Sequence, residues 1–355
     1  MTTGAEAPAA SAQAQAAEAL EQEQLGRWDA AARLYALSFR AAVLDGDVAQ
    51  SADSLRGQAR VLVQEERYEE AAELVELSRE IAERAGLLQA AARAVNVLGI
   101  IRYRQRDWSG ASEQYSRALE LALDLGDDDL AGLAVQNAGV IAYIRGDVRE
   151  SRSLYLESIG AFVRSGNSAN AAMAYNNLAI ACSDLHEWLE AEIYYTRGIE
   201  LAERESQSPL LAKLYGNRAE PLIEIGETTQ AVETLDRGAA VAEAVGDRLA
   251  LADVERLRAR LARLRGERGA AALHLQHALE LAAGPSLERA SIFRELALLH
   301  AADARPDDVR DAYLNAGELY RSLGAAGHAR ETANLLAAWE AQSFPRRQKF
   351  ERDSN

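Results

Sequence analysis

Small and apolar residues recur along this chain at the spacing of an amphipathic helix, and that pattern then recurs as a block. In LGIIRYRQRDWSGASEQYSRALEL, residues 98–121, Leu98 and Gly99 lie one turn before Tyr103, while Ala111, Tyr115 and Ala118 follow at spacings of four and three. The stretch predicts two helices around a tight turn at Arg106-Asp107-Trp108. Gly99 and Ala111 fall where the helices cross, because only a small side chain lets two backbones approach closely, and Tyr115 fills the space beside the crossing.

The turn returns in steps of 40 residues, at Gly26-Arg27-Trp28, Glu66-Arg67-Tyr68, Arg106-Asp107-Trp108, Gly146-Asp147-Val148, His186-Glu187-Trp188, Gly226-Glu227-Thr228 and Gly266-Glu267-Arg268. No insertion interrupts these units, and the next turn, near Arg305-Pro306-Asp307, slips in register. A second series between units includes Gly46-Asp47, Gly126-Asp127, Gly166-Asn167 and Gly246-Asp247. Glycine there closes one helix in the left-handed conformation, and Asp or Asn caps the next. The small contact position recurs at Ala59, Gly99, Gly139, Ala179, Ala219 and Ala259, and its partner at Ala31, Ala71, Ala111, Ser151, Ala191, Ala231 and Ala271.

The order Leu-Gly, Tyr, Ala-x-x-x-Tyr and Ala resembles the tetratricopeptide repeat, with Val95 in place of the family's early Trp. A 40-residue unit exceeds the usual ~34 and lengthens the helices by nearly two turns. Long repeats with Gly-Asp between them are similar to those of kinesin light chains, Pins-type adaptors and bacterial peptide-responsive regulators. The resemblance implies an all-α, right-handed superhelical solenoid of about eight helix-turn-helix repeats, which grips a peptide on its concave face. The expected layout is a disordered segment at 1–14, repeats over 15–325, a capping helix over 326–342 and a basic disordered tail at 343–355. That tail carries Arg346, Arg347, Lys349 and Arg352 with Phe344 and Phe350.

Composition narrows the class. Six prolines and no segment of strand period leave helices alone, and the 48% hydrophobic content, mostly Ala and Leu, suits close helix stacking. A net charge of −16 argues against nucleic-acid binding, which needs a basic face. All basic residues except Lys213 and Lys349 are arginines, which with abundant Ala suggests a GC-rich, bacterial coding sequence. The single Cys182 excludes an internal disulfide and falls among Ala179, Ile180 and Ala181 as an inert buried thiol. No secretory signal begins the chain and no run approaches ~18 apolar residues, so a cytoplasmic protein without membrane insertion is expected.

In the resembled family the first helix of each repeat lines the concave surface. Counting from the small contact residue at helical period places Asn96, Ile100, Tyr103 and, flanking them, Arg93 and Arg104 on the inward stripe of the third repeat. The fourth gives Gln136, Asn137, Val140 and Tyr143; the fifth Met173, Asn176, Asn177 and Ile180; the sixth Lys213 and Asn217. Asn137, Asn177 and Asn217 stand 40 apart, and Asn is a poor residue for a helix interior, so local folding does not explain the recurrence. An amide both donates and accepts and can hold the main chain of an extended peptide; the bland alternative is that each Asn bonds a neighbouring helix. The resemblance assigns peptide contact to positions 137, 177 and 217.

Arg56, Arg60, Arg93, Arg104, Arg256, Arg260 and Arg263 form candidate carboxylate-binding groups toward the two ends of the stripe, suited to an acidic partner. Glu220, Glu224 and Asp253 lie in register to neutralise Arg256 and Arg260 instead. Pro221 removes a helical N–H beside Asn217 and is expected to bend its helix.

No phosphate loop, dinucleotide fingerprint, zinc spacing or ordered nucleophilic triad is present, so no cofactor, metal or enzymatic activity is expected. His274 and His277 sit one turn apart without a carboxylate at matching spacing, and His186-Glu187 belongs to a repeat turn. Two function classes follow: a static adaptor that binds a protein or peptide in the groove, and a regulator whose superhelix changes pitch on binding a peptide. Repeats starting near Ala16 leave no room for an effector domain before them, which favours the adaptor. An accessory subunit bound through the convex face, or association of copies through end repeats, stays open.

Overall fold

The computed structural model describes residues 11–343, which form seventeen α-helices and no strand among the described residues. First helices are α1 (Ala12–Gln24), α3 (Val48–Gln64), α5 (Leu88–Arg104), α7 (Asp128–Arg145), α9 (Ser168–Asp184), α11 (Ser208–Glu224), α13 (Arg248–Leu264) and α15 (Leu287–Ala302). Each is followed by its second helix: α2 (Trp28–Asp45), α4 (Tyr68–Arg84), α6 (Trp108–Leu125), α8 (Val148–Ser165), α10 (Trp188–Arg204), α12 (Thr228–Val245), α14 (Arg268–Leu281) and α16 (Pro306–Ser322). The last helix, α17 (Ala326–Ser343), packs on α16 through Leu336 and Trp339.

The punctuation follows the chemistry expected of it. Gly46, Gly126 and Gly246 are left-handed, with φ between 65° and 72°. The aspartates after them cap the following helices, Asp47 accepting from Gln50 N, Asp127 from Leu130 N and Asp247 from Ala250 N, each at 3.0 Å. At the turns within repeats, the glycine position is taken by Glu66, Arg106, His186 and Ala304 in four units, all at φ between 55° and 61°. The register slip before α15 comes from the shortened α14, whose end carbonyls Leu279 O and Ala282 O are taken by the Arg289 guanidinium at 3.1 and 2.7 Å.

Packing explains the small series. A Cβ on Gly99 would lie 2.4 Å from the Tyr115 ring, and one on Gly139 would lie 2.7 Å from Tyr155. In repeat four, Phe162 replaces the alanine found at Ala42, Ala82, Ala122, Ala202 and Ala242, and Gly132 opposite gives up its side chain to admit the ring. A further small series runs through Ser38, Ser78, Ala118, Ser158, Gly198, Gly238 and Ala278. Two of its serines bond the preceding helix, Ser38 to Ala12 O and Ser78 to Ala52 O, at 2.7 and 2.8 Å, while Ser158 bonds Tyr155 O of its own helix.

The N-terminal boundary differs from expectation. Helix α1 starts at Ala12, not after residue 14, because Ser11 Oγ accepts from Ala14 N and the Ala12 carbonyl is buried against Ser38. Residues 1–10 and the basic tail from Phe344 lie outside the described residues. Helix α11 runs through Pro221 without interruption.

The chain divides into two compact units. Unit 1 comprises residues up to Ile141 with Ser153–Asn167, and unit 2 comprises Ala142–Arg152 with residues from Ser168 on. Inside unit 1, α3 touches α1 and α5; inside unit 2, α11 touches α9 and α13, and α13 touches α15. Within the units, α2 and α4 pack on the first helices before and after them, as do α10, α12 and α14. First helices therefore form the inner layer of each unit, and their stripe residues are displayed side by side.

Candidate functional site

In unit 1 the inner layer is lined by α3, α5 and α7. Asn96 on α5 is only 6% exposed, and its Oδ1 accepts from Asn137 Nδ2 at 3.2 Å. Ile100, Val140, Tyr103 and Gln136 are half-buried around this pair, with the Gln136 Oε1 atom buried and unbonded. Tyr103 stands edge-on to Trp108 at 5.5 Å.

The arginines of this face are held by the chain's own carboxylates. Arg60 forms a two-pronged pair with Glu23 at 2.8 and 2.9 Å, and the same guanidinium bonds Tyr35 Oη. Arg93 spans Asp127 and Asp129 at 3.2 and 3.1 Å. Arg56 is buried against Ser78 Oγ and Ala90 O and touches Asp53. Burial, and then repulsion from Arg60 and Arg93, pushes its guanidinium down to about 10. Arg104 is exposed and has no carboxylate in salt-bridge range among the described residues.

In unit 2 the amides form a longer chain. Asn217 Nδ2 donates to Asn176 Oδ1 at 3.1 Å, and Asn176 Nδ2 donates to Asn177 Oδ1 at 3.4 Å. Asn176 is buried, Asn177, Asn217 and Ile180 are half-buried, and Met173 and Lys213 are exposed. Tyr143 donates to Asp184 Oδ2 at 2.6 Å; burial pushes that carboxyl up, and the Tyr143 bond partly offsets it.

Beyond the amides, successive first helices of unit 2 are joined by ion pairs. Arg260 on α13 bonds Glu220 at 2.5 Å and also Glu224, both on α11. Arg263 reaches Glu295 on α15 at 2.6 Å, and Arg294 on α15 reaches Glu331 on α17 at 2.8 Å. Arg256 pairs with Asp253 at 2.7 Å, and although burial lowers it, Asp253 and Glu220 hold its guanidinium above the ordinary value. Six of the seven arginines thus already face internal carboxylates. An acidic partner residue would have to displace one of these or use Arg104.

Spacing along one helix could not reveal several of these partners, but the repeat could. In a 40-residue period, an acid 32 to 40 positions away lies on the neighbouring first helix, as for Arg263 with Glu295 and Arg260 with Glu220. The same blindness hid the carboxylate beside the paired histidines. Glu255 on α13 meets His274 Nδ1 at 2.6 Å and His277 Nδ1 at 3.7 Å while bonding Arg258, so a carboxylate does reach the two rings, from another helix. Cys182 is fully buried, and burial pushes its thiol up to about 12. No helix among the described residues is long and apolar enough to cross a membrane.

Residues 129–204 match the sequence profile of the tetratricopeptide repeat. No curated protein matches the chain. Among solved structures, the fold is similar to the apo form of the quorum sensor NprR from B. thuringiensis, at 13% identity over 92% of this chain and 97% of that chain, with a TM-score of 0.56. It is also similar to a Rap protein complexed with competence and sporulation factor, at 12% identity over 93% and 98% of the two chains and a TM-score of 0.56. A STAND signal-transduction ATPase from Pyrococcus horikoshii with a tetratricopeptide-repeat sensor gives a TM-score of 0.58 at 18% identity, over 75% of this chain and 41% of that one. Residues 129–204 are thus tetratricopeptide repeats by sequence, and the chain has the tetratricopeptide-repeat fold across its helical hairpins, in units of 40 residues.

Proposed function

We propose that this chain is a non-enzymatic interaction scaffold whose first helices hold an extended segment of a partner protein. The observation that carries the reading is a set of half-buried amides, Asn137 on α7 in unit 1 and, in unit 2, Asn177 and Asn217 on the adjacent α9 and α11, with hydrogen-bonding capacity beyond the bonds that Asn137 and Asn217 make to Asn96 and Asn176. Ile100 and Val140 in unit 1, and Met173 and Ile180 in unit 2, lie near enough on the same faces to take apolar side chains of that segment. Arg104 and Lys213 are the exposed cations that an acidic residue of the partner would meet.

The test is to pan a random twelve-residue display library on the protein and titrate the recovered peptide calorimetrically. Asn137→Ala with Asn177→Ala should weaken binding by more than about tenfold, the size expected from two lost hydrogen bonds, with melting nearly unchanged. Equal binding by the variant would move the interaction to the second helices.

A second reading, a peptide-responsive regulator, is favoured by similarity to the NprR and Rap folds over 92% and 93% of this chain. Small-angle scattering with and without the recovered peptide separates the two. A change in radius of gyration supports the regulator, and an unchanged radius supports a static adaptor.

A further inference from the structure

The amides of the candidate face form chains with a direction. In unit 1 the bond runs from Asn137 on α7 to Asn96 on α5, and in unit 2 from Asn217 on α11 to Asn176 on α9 and on to Asn177. In both units the helix later in sequence donates and the earlier one accepts. The accepting members, Asn96 and Asn176, are each 6% exposed, whereas the donors Asn137 and Asn217 stay half-buried at the open face. A planar amide that turns its Nδ2 toward a neighbour turns its Oδ1 away from it. Flipping Asn137 alone would set its Oδ1 against the Asn96 Oδ1, acceptor against acceptor in a poorly solvated place, so the open amide's orientation is coupled to the buried one's, and in unit 2 the buried Asn176 is itself tied by its bond to Asn177 Oδ1.

Resting on the reading that the inner faces take an extended segment, we infer that Asn96 and Asn176 are positioning residues: they orient Asn137 and Asn217 so that a carbonyl acceptor, and not an amino donor, meets the partner's main chain. The polarity is the same within each unit: a segment held in unit 1 would have its N–H groups read from α7, and one held in unit 2 from α11. In unit 2 the chain of amides also leaves the Asn177 amino group as a donor on α9, complementary to a partner carbonyl. A pair serving helix packing alone would have no need of one half-exposed member; here each pair has one buried and one open amide.

The probe is the peptide recovered by panning. Asn137→Ala and Asn96→Leu should each weaken it by about tenfold, and the double variant should bind no more weakly than either single one, because both remove the same oriented carbonyl. Asn96→Asp, which keeps an acceptor for Asn137 Nδ2, should bind within about twofold of wild type. The same set at Asn176 and Asn217 covers the case in which Asn96→Leu does not fold. Full binding by Asn96→Leu while Asn137→Ala is weakened, or losses that multiply in the double variant, would overturn the inference. If Asn137→Ala binds normally, the inner-face reading itself fails, and the side-chain amide resonances of Asn137 in protein labelled at asparagine nitrogen decide the orientation. Movement of both lines to the shifts of a free, solvated asparagine amide in Asn96→Leu upholds positioning, and unchanged shifts refute it.

Discussion

The first helices of repeats two and seven carry the same three residues at the same positions: Asp53, Arg56 and Arg60 on α3, and Asp253, Arg256 and Arg260 on α13. Their electrostatics are nonetheless opposite. Arg56 is pushed down to about 10 by burial and by Arg60 and Arg93, while Arg256, equally shielded, is held above its ordinary value by Asp253 and Glu220. The neighbouring helices make the difference, since α5 presents Arg93 to α3 whereas α11 and α15 present Glu220 and Glu295 to α13. In a repeat protein the sign of a local field is thus set with the help of charges on the neighbouring repeats, and a motif read from one helix is incomplete.

The largest test of that comparison is to remove the shared guanidinium from each unit. Arg256→Met should destabilise unit 2 by about 3 kcal/mol, because Asp253 and Glu220 lose a shielded counter-charge. Arg56→Met should cost about 1 kcal/mol or less, since it also relieves crowding with Arg60 and Arg93. Hydrogen exchange resolved by helix checks this, and equal loss of protection around α3 and α13 would refute it.

Acid should also separate the two units. The Glu331 carboxyl is lowered from 4.5 to about 2 by His328 and Arg294, with burial opposing. A lowered carboxyl stabilises the fold fully above its unfolded value, and that contribution is lost as pH falls from 4.5 to about 2. Glu220, held low by Arg256 and Arg260 against burial, acts in the same direction. Asp184 has a raised carboxyl and therefore acts oppositely, favouring the folded state as it protonates. Protection of α13, α15 and α17 should fall over this window ahead of α3 and α5; loss in the reverse order contradicts the account.

The smallest effect concerns turns shared by both units. Ala304→Gly and His186→Gly place glycine where the backbone is already left-handed, at φ 55° and 59°, as four other repeats do. Each should raise stability by about 0.5–1 kcal/mol, read from denaturant midpoints, and an unchanged midpoint would show that the strain is relieved elsewhere.

Much of the fold was legible because a 40-residue period repeats the same physical demands: Gly99 and Ala111 at a crossing, Gly126 and Asp127 at a junction. The exchange of bulk between Phe162 and Gly132 was not, because each departs from its own series and only their contact shows that one compensates the other. The candidate site was legible as a set of positions but not as a network. Asn96, Asn137, Asn176 and Asn217 stood out as amides unsuited to helix interiors, yet their pairing across 41 residues needs the stagger between neighbouring first helices. The candidate arginines were visible too, and most of their carboxylates, such as Glu23 and Glu295, became evident only once the helices were side by side.

The inner layer, and not the outer one, is the face proposed to meet the partner. Photocrosslinking tests it most directly, with benzoylphenylalanine placed at Met173 on the inner face of α9 or at Leu77 on the second helix α4, side chains of similar exposure at 40% and 45%. The panned peptide should crosslink from position 173 and not from position 77. Crosslinking from position 77 alone would contradict it.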